Sequence, residues 1–155
     1  MAFIKLLTRD ENHYGLQYKT GYNEDFRRWT PNDGPGGIYF CEECDAWMWV
    51  ALYASNLEYV RQVSLPRDAK LVKLSRGKWK ASAVVLGPRI PISDWLATQS
   101  ANQVYKCLVH NPYLLTKVHQ TEDLCLYVLT HNKYSYRFIE NKTPQLILRA
   151  IIGNT

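Results

Sequence analysis

The sharpest chemical motif in the chain is the pair Cys41-x-x-Cys44. A structural zinc ion needs four ligands, usually two such pairs or one pair with two histidines. His13 is the only histidine near this pair in the sequence. A redox role needs a thiol of lowered pKa at a helix start, and the two intervening glutamates oppose thiolate formation. We therefore predict that these cysteines pack, and that the chain has no metal, no cofactor and no catalytic residue.

A second candidate is the glycine- and proline-rich stretch over residues 30–37. A phosphate-binding loop needs a Gly-Lys-Ser/Thr ending or the glycine spacing of a dinucleotide fold, and neither is present. The stretch is predicted to be a connecting loop.

Basic residues beside aromatic ones make up the best candidate nucleic-acid surface. Arginine or lysine next to an aromatic ring suits phosphate contact and base stacking. Lysines on the outer face of an edge hairpin also prevent sheets from aggregating, and both interpretations are open. Lys78 and Lys80 alternate with Trp79, so we expect the charges outside and the indole inside. The candidate residues are Arg27, Arg28, Lys70, Lys73, Arg76, Lys78 and Lys80.

The elements that would position these residues form an α+β domain over residues 1–90. We predict about six short strands in a small mixed or antiparallel sheet, with a hairpin turning at residues 75–77. Residues 43–53 are apolar nearly all round, which predicts one buried helix. Residues 59–65 read as a strand in which Arg61 breaks the strict alternation of apolar and polar residues.

Residues 91–155 repeat themselves. Segments 100–111, 121–132 and 143–154 align at spacings of 21 and 22 residues. Short repeats of this kind stack on their neighbours, because one unit cannot bury its apolar face alone. We predict about three helical units, each with a second short helix before the next copy, stacked as a small α-solenoid.

Each copy has its own predicted start and stop. Ser100, Thr121 and Thr143 are placed to cap helix N-termini. Each copy ends in asparagine, for which we predict a left-handed helix stop. Cys107 and Cys125 align with Val, Ala and Ile in the other copies, so both are predicted to be core residues.

The last helix carries the candidate partner-binding surface. Four apolar residues would be left uncovered after the third copy, and such a face is expected to meet another chain. These residues are Leu146, Ile147, Ala150 and Ile151.

Composition places limits on both halves. The chain of 155 residues is 46% hydrophobic and 21% charged, which is typical of a globular protein. Residues 1–90 contain 13 basic and 10 acidic residues, and residues 91–155 contain 6 and 4, so neither half is strongly basic. No apolar run approaches membrane-spanning length, and the first residues do not resemble a secretion signal. We expect a protein of a reducing compartment that is not secreted.

The N-terminal half resembles a known but uncharacterised domain of giant DNA viruses of the mimivirus group. The resemblance is carried by residues 11–21, 35–40, 59–69 and 78–86, which match in order. The C-terminal half is similar to short helical repeats of the same viruses. The resemblance implies a viral protein of two parts, in the host cytoplasm or the virion, and it implies no activity.

Three functions follow as hypotheses. The first is a non-enzymatic module that binds a protein partner or itself through the helical repeats. The second is a nucleic-acid-binding protein that uses residues 70–80. The third is a nucleotide-dependent enzyme, because His13, Tyr18 and the later Gly-Ile-Tyr-Phe strand resemble part of an ADP-ribosyl transferase site.

Overall fold

A computed structural model describes residues 1–153 and divides them into two compact units. The first unit contains Met1–Ala46 and Asn56–Pro91, and the second contains Trp47–Ser55 and the described residues from Ile92 onward. The division after Pro91 lies one residue from the predicted boundary. The second unit differs from the prediction by also including Trp47–Ser55.

The first unit is an antiparallel sheet. The strands are β1 (Phe3–Thr8), β2 (Asn12–His13), β3 (Leu16–Gln17), β4 (Gly21–Glu24), β5 (Ile38–Glu42), β6 (Leu57–Ser64), β7 (Leu71–Ser75), β8 (Lys78–Ala81), β9 (Ala83–Leu86) and β10 (Ile90–Pro91). Eight of them form the sheet, in the order β4-β9-β6-β1-β5-β8-β7, with β10 paired to β6, and β2 and β3 form a separate small hairpin. Turn residues separate the short strands. Consecutive residues of the central strands β1 and β5 are buried, so these strands are covered on both faces.

The core of the sheet unit is built by inward-facing residues of several strands. Leu7, Ile38, Phe40 and Val84 are members of one buried cluster. The hairpin of β7 and β8 turns at Gly77, whose φ of 72° is the left-handed conformation that glycine adopts without strain. The predicted hairpin is confirmed.

Arg61 breaks the alternation of β6 because it belongs to a buried ion pair. Its side chain is 3% exposed and its Nε donates to Oε2 of Glu11 at 2.6 Å. The Arg89 side chain donates to the other carboxylate oxygen of Glu11. Burial alone would raise the pKa of Glu11, but hydrogen bonds and charge from Arg61 and Arg89 outweigh it and hold the pKa below its usual range.

The predicted buried helix over residues 43–53 is wrong. Three short 3-10 segments stand there instead: Glu43–Met48, Val50–Leu52 and Ala54–Asn56. Trp and Val are weak helix formers, and no side chain caps the Val50–Leu52 segment. Ala54 has a φ of 46°, which an α-helix does not allow.

The second unit is mainly helical. The Ser100 and Thr121 side chains accept the N–H of Gln103 and Leu124, so the predicted N-caps of the helices Ala101–His110 and Glu122–His131 are confirmed. A single 3-10 segment follows each of these helices, at the places where a second short helix is predicted. The helices are α1 (Ile92–Thr98), α2 (Ala101–His110), α3 (Glu122–His131) and α4 (Pro144–Gly153), and the segments are Pro112–Lys117 and Lys133–Phe138.

The asparagines stop α2 and α3 in a way that differs from the prediction. Asn111 and Asn132 have φ of −138° and −151°, so the left-handed stop is wrong. Their side-chain amides donate to distant carbonyls instead: Asn111 to the carbonyls of Val50 and Ala54, each at 3.0 Å, and Asn132 to that of Val109 at 2.8 Å. The third predicted stop, Asn154, lies outside the described residues.

No helix within residues 1–153 has the length and apolar character needed to cross a membrane.

Candidate protein-interaction site

The site begins with the way α4 is anchored. Oγ1 of Thr143 accepts the N–H of Leu146 at 3.4 Å, which caps the helix, and its hydroxyl donates to Oε1 of Glu122 at 2.6 Å. Pro144 occupies the first turn, where its fixed φ suits a helix and no N–H is needed. The start of α4 is therefore tied to the start of α3.

The predicted partner-binding residues on α4 divide into core and surface. Leu146 is 1% exposed and belongs to the core, so the expectation that it is uncovered is wrong. Ile147 and Ile151 are 41% and 58% exposed, and Ala150 is half-buried. The prediction missed two exposed apolar residues, Leu148 and Ile152, which the helical spacing of i, i+1, i+4 and i+5 would have indicated.

The same positions are covered in α3. Cys125, Val128 and Leu129, which align with Ile147, Ala150 and Ile151, are all buried. They lie on α3, which packs against the Lys133–Phe138 segment and α4. Ile147, Ala150 and Ile151 on α4 therefore occupy positions whose equivalents on α3 are buried.

A shallow pocket lies on this surface. Its lining residues are Lys133, Tyr136, Ile147, Ala150 and Ile151. Apolar side chains form its α4 wall, and a lysine lies at its edge. We call Ile147, Leu148, Ala150, Ile151 and Ile152 the α4 face.

The two repeat cysteines are packing residues, as predicted. Cys107 is fully buried and Cys125 is 2% exposed. Burial raises the pKa of the Cys107 thiol to about 12, which keeps it protonated and unreactive near neutral pH.

The basic candidates of the sheet unit are mostly engaged with acids of the same unit. Nζ of Lys73 lies 3.7 Å from Glu42, and Nζ of Lys78 lies 3.3 Å from Asp33. Arg76 lies 3.4 Å from Asp45. Pairing of this kind reduces the positive potential that phosphate groups would meet.

The remaining candidates for nucleic-acid binding, apart from Lys80, are two arginines and Lys70. Arg27 forms a close ion pair with Asp25, at 2.7 Å. Arg28 and Lys70 are exposed, and neither pairs with a carboxylate among residues 1–153.

Lys80 is placed where the sequence did not predict it. The side chain is fully buried, so the expected outward position is wrong. Its ammonium donates to the carbonyls of Thr30, Asn32 and Gly34 at 2.8, 2.8 and 3.1 Å. Burial lowers the pKa of Lys80. The carbonyl groups of the 30–37 loop, which is confirmed as a loop, therefore surround a lysine of the protein itself.

Glycine makes this arrangement possible. Gly37 has a φ of 101°, and a Cβ there would lie 2.7 Å from Cε of Lys80. Any larger residue would displace the lysine stem. The loop contains glycine because the lysine and its carbonyl partners approach so closely.

The cysteine pair Cys41 and Cys44 is divided between interior and surface. Cys41 is buried on β5, whereas Cys44 is exposed in the first 3-10 segment. Among residues 1–153, the one group close enough to hold a metal ion is Glu42, Cys44 and Asp45, whose ligand atoms lie within 4.8 Å of one another. The two carboxylates of this group already pair with Lys73 and Arg76.

His13 lies beside aromatic and basic groups. The ring centroids of His13 and Tyr14 lie 4.2 Å apart, with the ring planes tilted by 41°. Burial together with the charges of Lys5 and Arg27 lowers the pKa of His13. Among the acids near it in sequence, Asp25 pairs with Arg27, and Glu11 pairs with arginines. Asp10 accepts the Thr8 hydroxyl and the N–H of Asn12, so none of these contacts joins an acid to His13.

Comparisons with known protein families, with curated proteins and with solved structures found no match to this chain.

Proposed function

We propose that the protein is a non-enzymatic interaction module that binds a protein partner through the α4 face. One observation carries this proposal: positions buried in α3 are exposed at the equivalent places of α4. Three exposed isoleucines and one exposed leucine on two adjacent helical stripes form the kind of patch that marks protein interaction sites.

The proposal includes the stacked repeat. Capped helices of 10 residues each, followed by 3-10 segments in two cases, support a small α-solenoid built from units of 21 and 22 residues. In such arrays each unit covers the apolar face of its neighbour, which is the property that a docking partner would use.

The viral origin is also part of the proposal. It rests on the resemblance of the N-terminal half to a domain of giant DNA viruses, and it places the protein in the host cytoplasm or the virion. Nucleic-acid binding through residues 70–80 and a nucleotide-dependent activity stay predictions from the sequence, and neither is favoured by a specific contact.

The test compares partners of three versions of the protein. Wild type, Ile147→Asp/Ile151→Asp and the control Leu52→Asp are used for affinity capture from infected host cells, followed by mass spectrometry. Leu52 is 77% exposed in the same unit, so the control places an aspartate at an exposed apolar position outside α4, adding one negative charge where the double variant adds two. Light scattering of each purified protein reports self-association, and circular dichroism confirms folding.

We expect proteins, or a second copy, that are retained by wild type and Leu52→Asp and lost with the double variant. Identical partners and identical molar masses for all three folded proteins would show that the α4 face is not a docking surface.

A further inference from the structure

We propose that the α4 face takes an amphipathic α-helix of a partner protein whose apolar stripe is flanked by acidic residues. This inference rests on the proposed function, and it adds the chemistry of the partner.

The shape of the face argues for a helix. Ile147 and Ile151 form one i, i+4 stripe, and Leu148 and Ile152 form a second stripe beside it. On α3 the equivalents of Ile147, Ala150 and Ile151 are buried, and α3 packs against the Lys133–Phe138 segment and α4. The equivalents of Leu148 and Ile152 on α3 are half-buried and exposed, so the comparison applies to the first stripe. A helical segment with apolar residues at i, i+3, i+4 and i+7 has the complementary pattern.

The charge around the face argues for acidic flanks. Residues 133–153 contain Lys133, Arg137, Lys142 and Arg149 against the single acid Glu140. One further carboxylate, that of Glu122, meets Thr143 at the start of α4, so basic groups still outnumber acidic ones by four to two. Lys133 lines the pocket, and Arg149 is on α4 itself. Within residues 1–153 no carboxylate pairs with any of these four basic groups.

The same charge argues against a second copy as the occupant. Two α4 faces in contact would bring like charges together, and like charges across an interface disfavour it. A partner helix with glutamates beside its apolar stripe would instead be attracted by these basic groups.

The experiment uses two synthetic helical peptides with the same leucine stripe. One has glutamate and the other lysine at all flanking positions, and each carries a fluorophore for anisotropy measurements on the full chain. We expect the glutamate peptide to bind at least about tenfold more tightly, with an affinity that falls as salt rises.

Two variants locate the binding. Ile151→Asp should lower the affinity for the glutamate peptide at least about tenfold, because it places a charge in the apolar stripe. Lys133→Glu should reduce or reverse the preference between peptides, whereas the control Lys70→Glu on the sheet unit should leave it unchanged. Circular dichroism confirms that each variant is folded.

Three results would overturn the inference: no binding of either peptide, equal binding of both, or tighter binding of the lysine peptide. Dimerisation that depends on Ile151 in the absence of peptide binding would also overturn it, since the occupant would then be a second copy. If capture still depends on Ile147 and Ile151 while the peptides fail, the docking surface stands and only the partner chemistry is wrong.

Discussion

Replacing Lys80 by methionine removes the ammonium and keeps a long apolar stem. The carbonyls of Thr30, Asn32 and Gly34 then lose a charged donor. Hydrogen bonds to a charged group contribute about 1.5–3 kcal/mol each. Part of that sum is offset because methionine does not have to lose the hydration of an ammonium, which costs several kcal/mol.

The expected net loss of folding free energy is therefore about 2–4 kcal/mol, a large part of the stability of an ordinary domain. For a chain of this size, that loss lowers the melting temperature by roughly 5–15 °C. Differential scanning calorimetry and urea unfolding measure it. Limited proteolysis should show earlier cleavage within residues 30–37.

Lys70→Met is the matched control, because Lys70 lies on the same hairpin region and its side chain is exposed. A melting temperature for Lys80→Met within about 1 °C of this control would refute the assigned role of the buried ammonium. So would an unchanged cleavage rate in the loop.

Three further predictions concern buried polar groups. Asn132→Ala should destabilise the second unit by about 1–3 kcal/mol, because the Val109 carbonyl loses its hydrogen-bond donor. Amide hydrogen exchange near Val109 should become faster. Glu11→Gln should lower the free energy of unfolding, measured with urea, by about 3–5 kcal/mol, because Arg61 stays buried without a counter-charge. The pKa of Glu11 is lower in the folded protein than in the unfolded chain. The Glu11 carboxylate therefore stabilises the fold at a pH above the unfolded pKa, and this stabilisation is lost as the pH falls through the folded pKa. In acid, the free energy of unfolding of wild type should approach that of Glu11→Gln. Burial lowers the pKa of Lys5 to about 8, so wild-type stability should rise relative to Lys5→Met between about pH 8 and pH 10, and a flat difference would contradict this.

The sequence was a good guide where local rules decide the structure. The caps at Ser100 and Thr121, the Gly77 turn and the burial of Cys107 follow from side-chain chemistry or repeat alignment, and all are confirmed. The α+β arrangement is confirmed, but the antiparallel sheet is larger than predicted, with eight strands instead of about six.

The features that the sequence did not predict depend largely on contacts between residues far apart in the chain. An alternating pattern cannot show that Lys80 meets carbonyls about 50 residues earlier in the chain, nor that Arg61 meets Glu11. The apolar stretch at residues 43–53 has the pattern of one buried helix, but its helix propensity is weak and the segment is divided between two units. On α4, the predicted surface was displaced by one position, since Leu146 is buried and Leu148 is exposed.

The asparagine bonds of the second unit make the length of its helices important. The amide of Asn132 reaches back 23 residues to one particular carbonyl. Adding or deleting a single residue within α3 would rotate that amide away from its acceptor by about a quarter of a helical turn. A change in the length of α3 should therefore break this bond, whichever residue is added or removed.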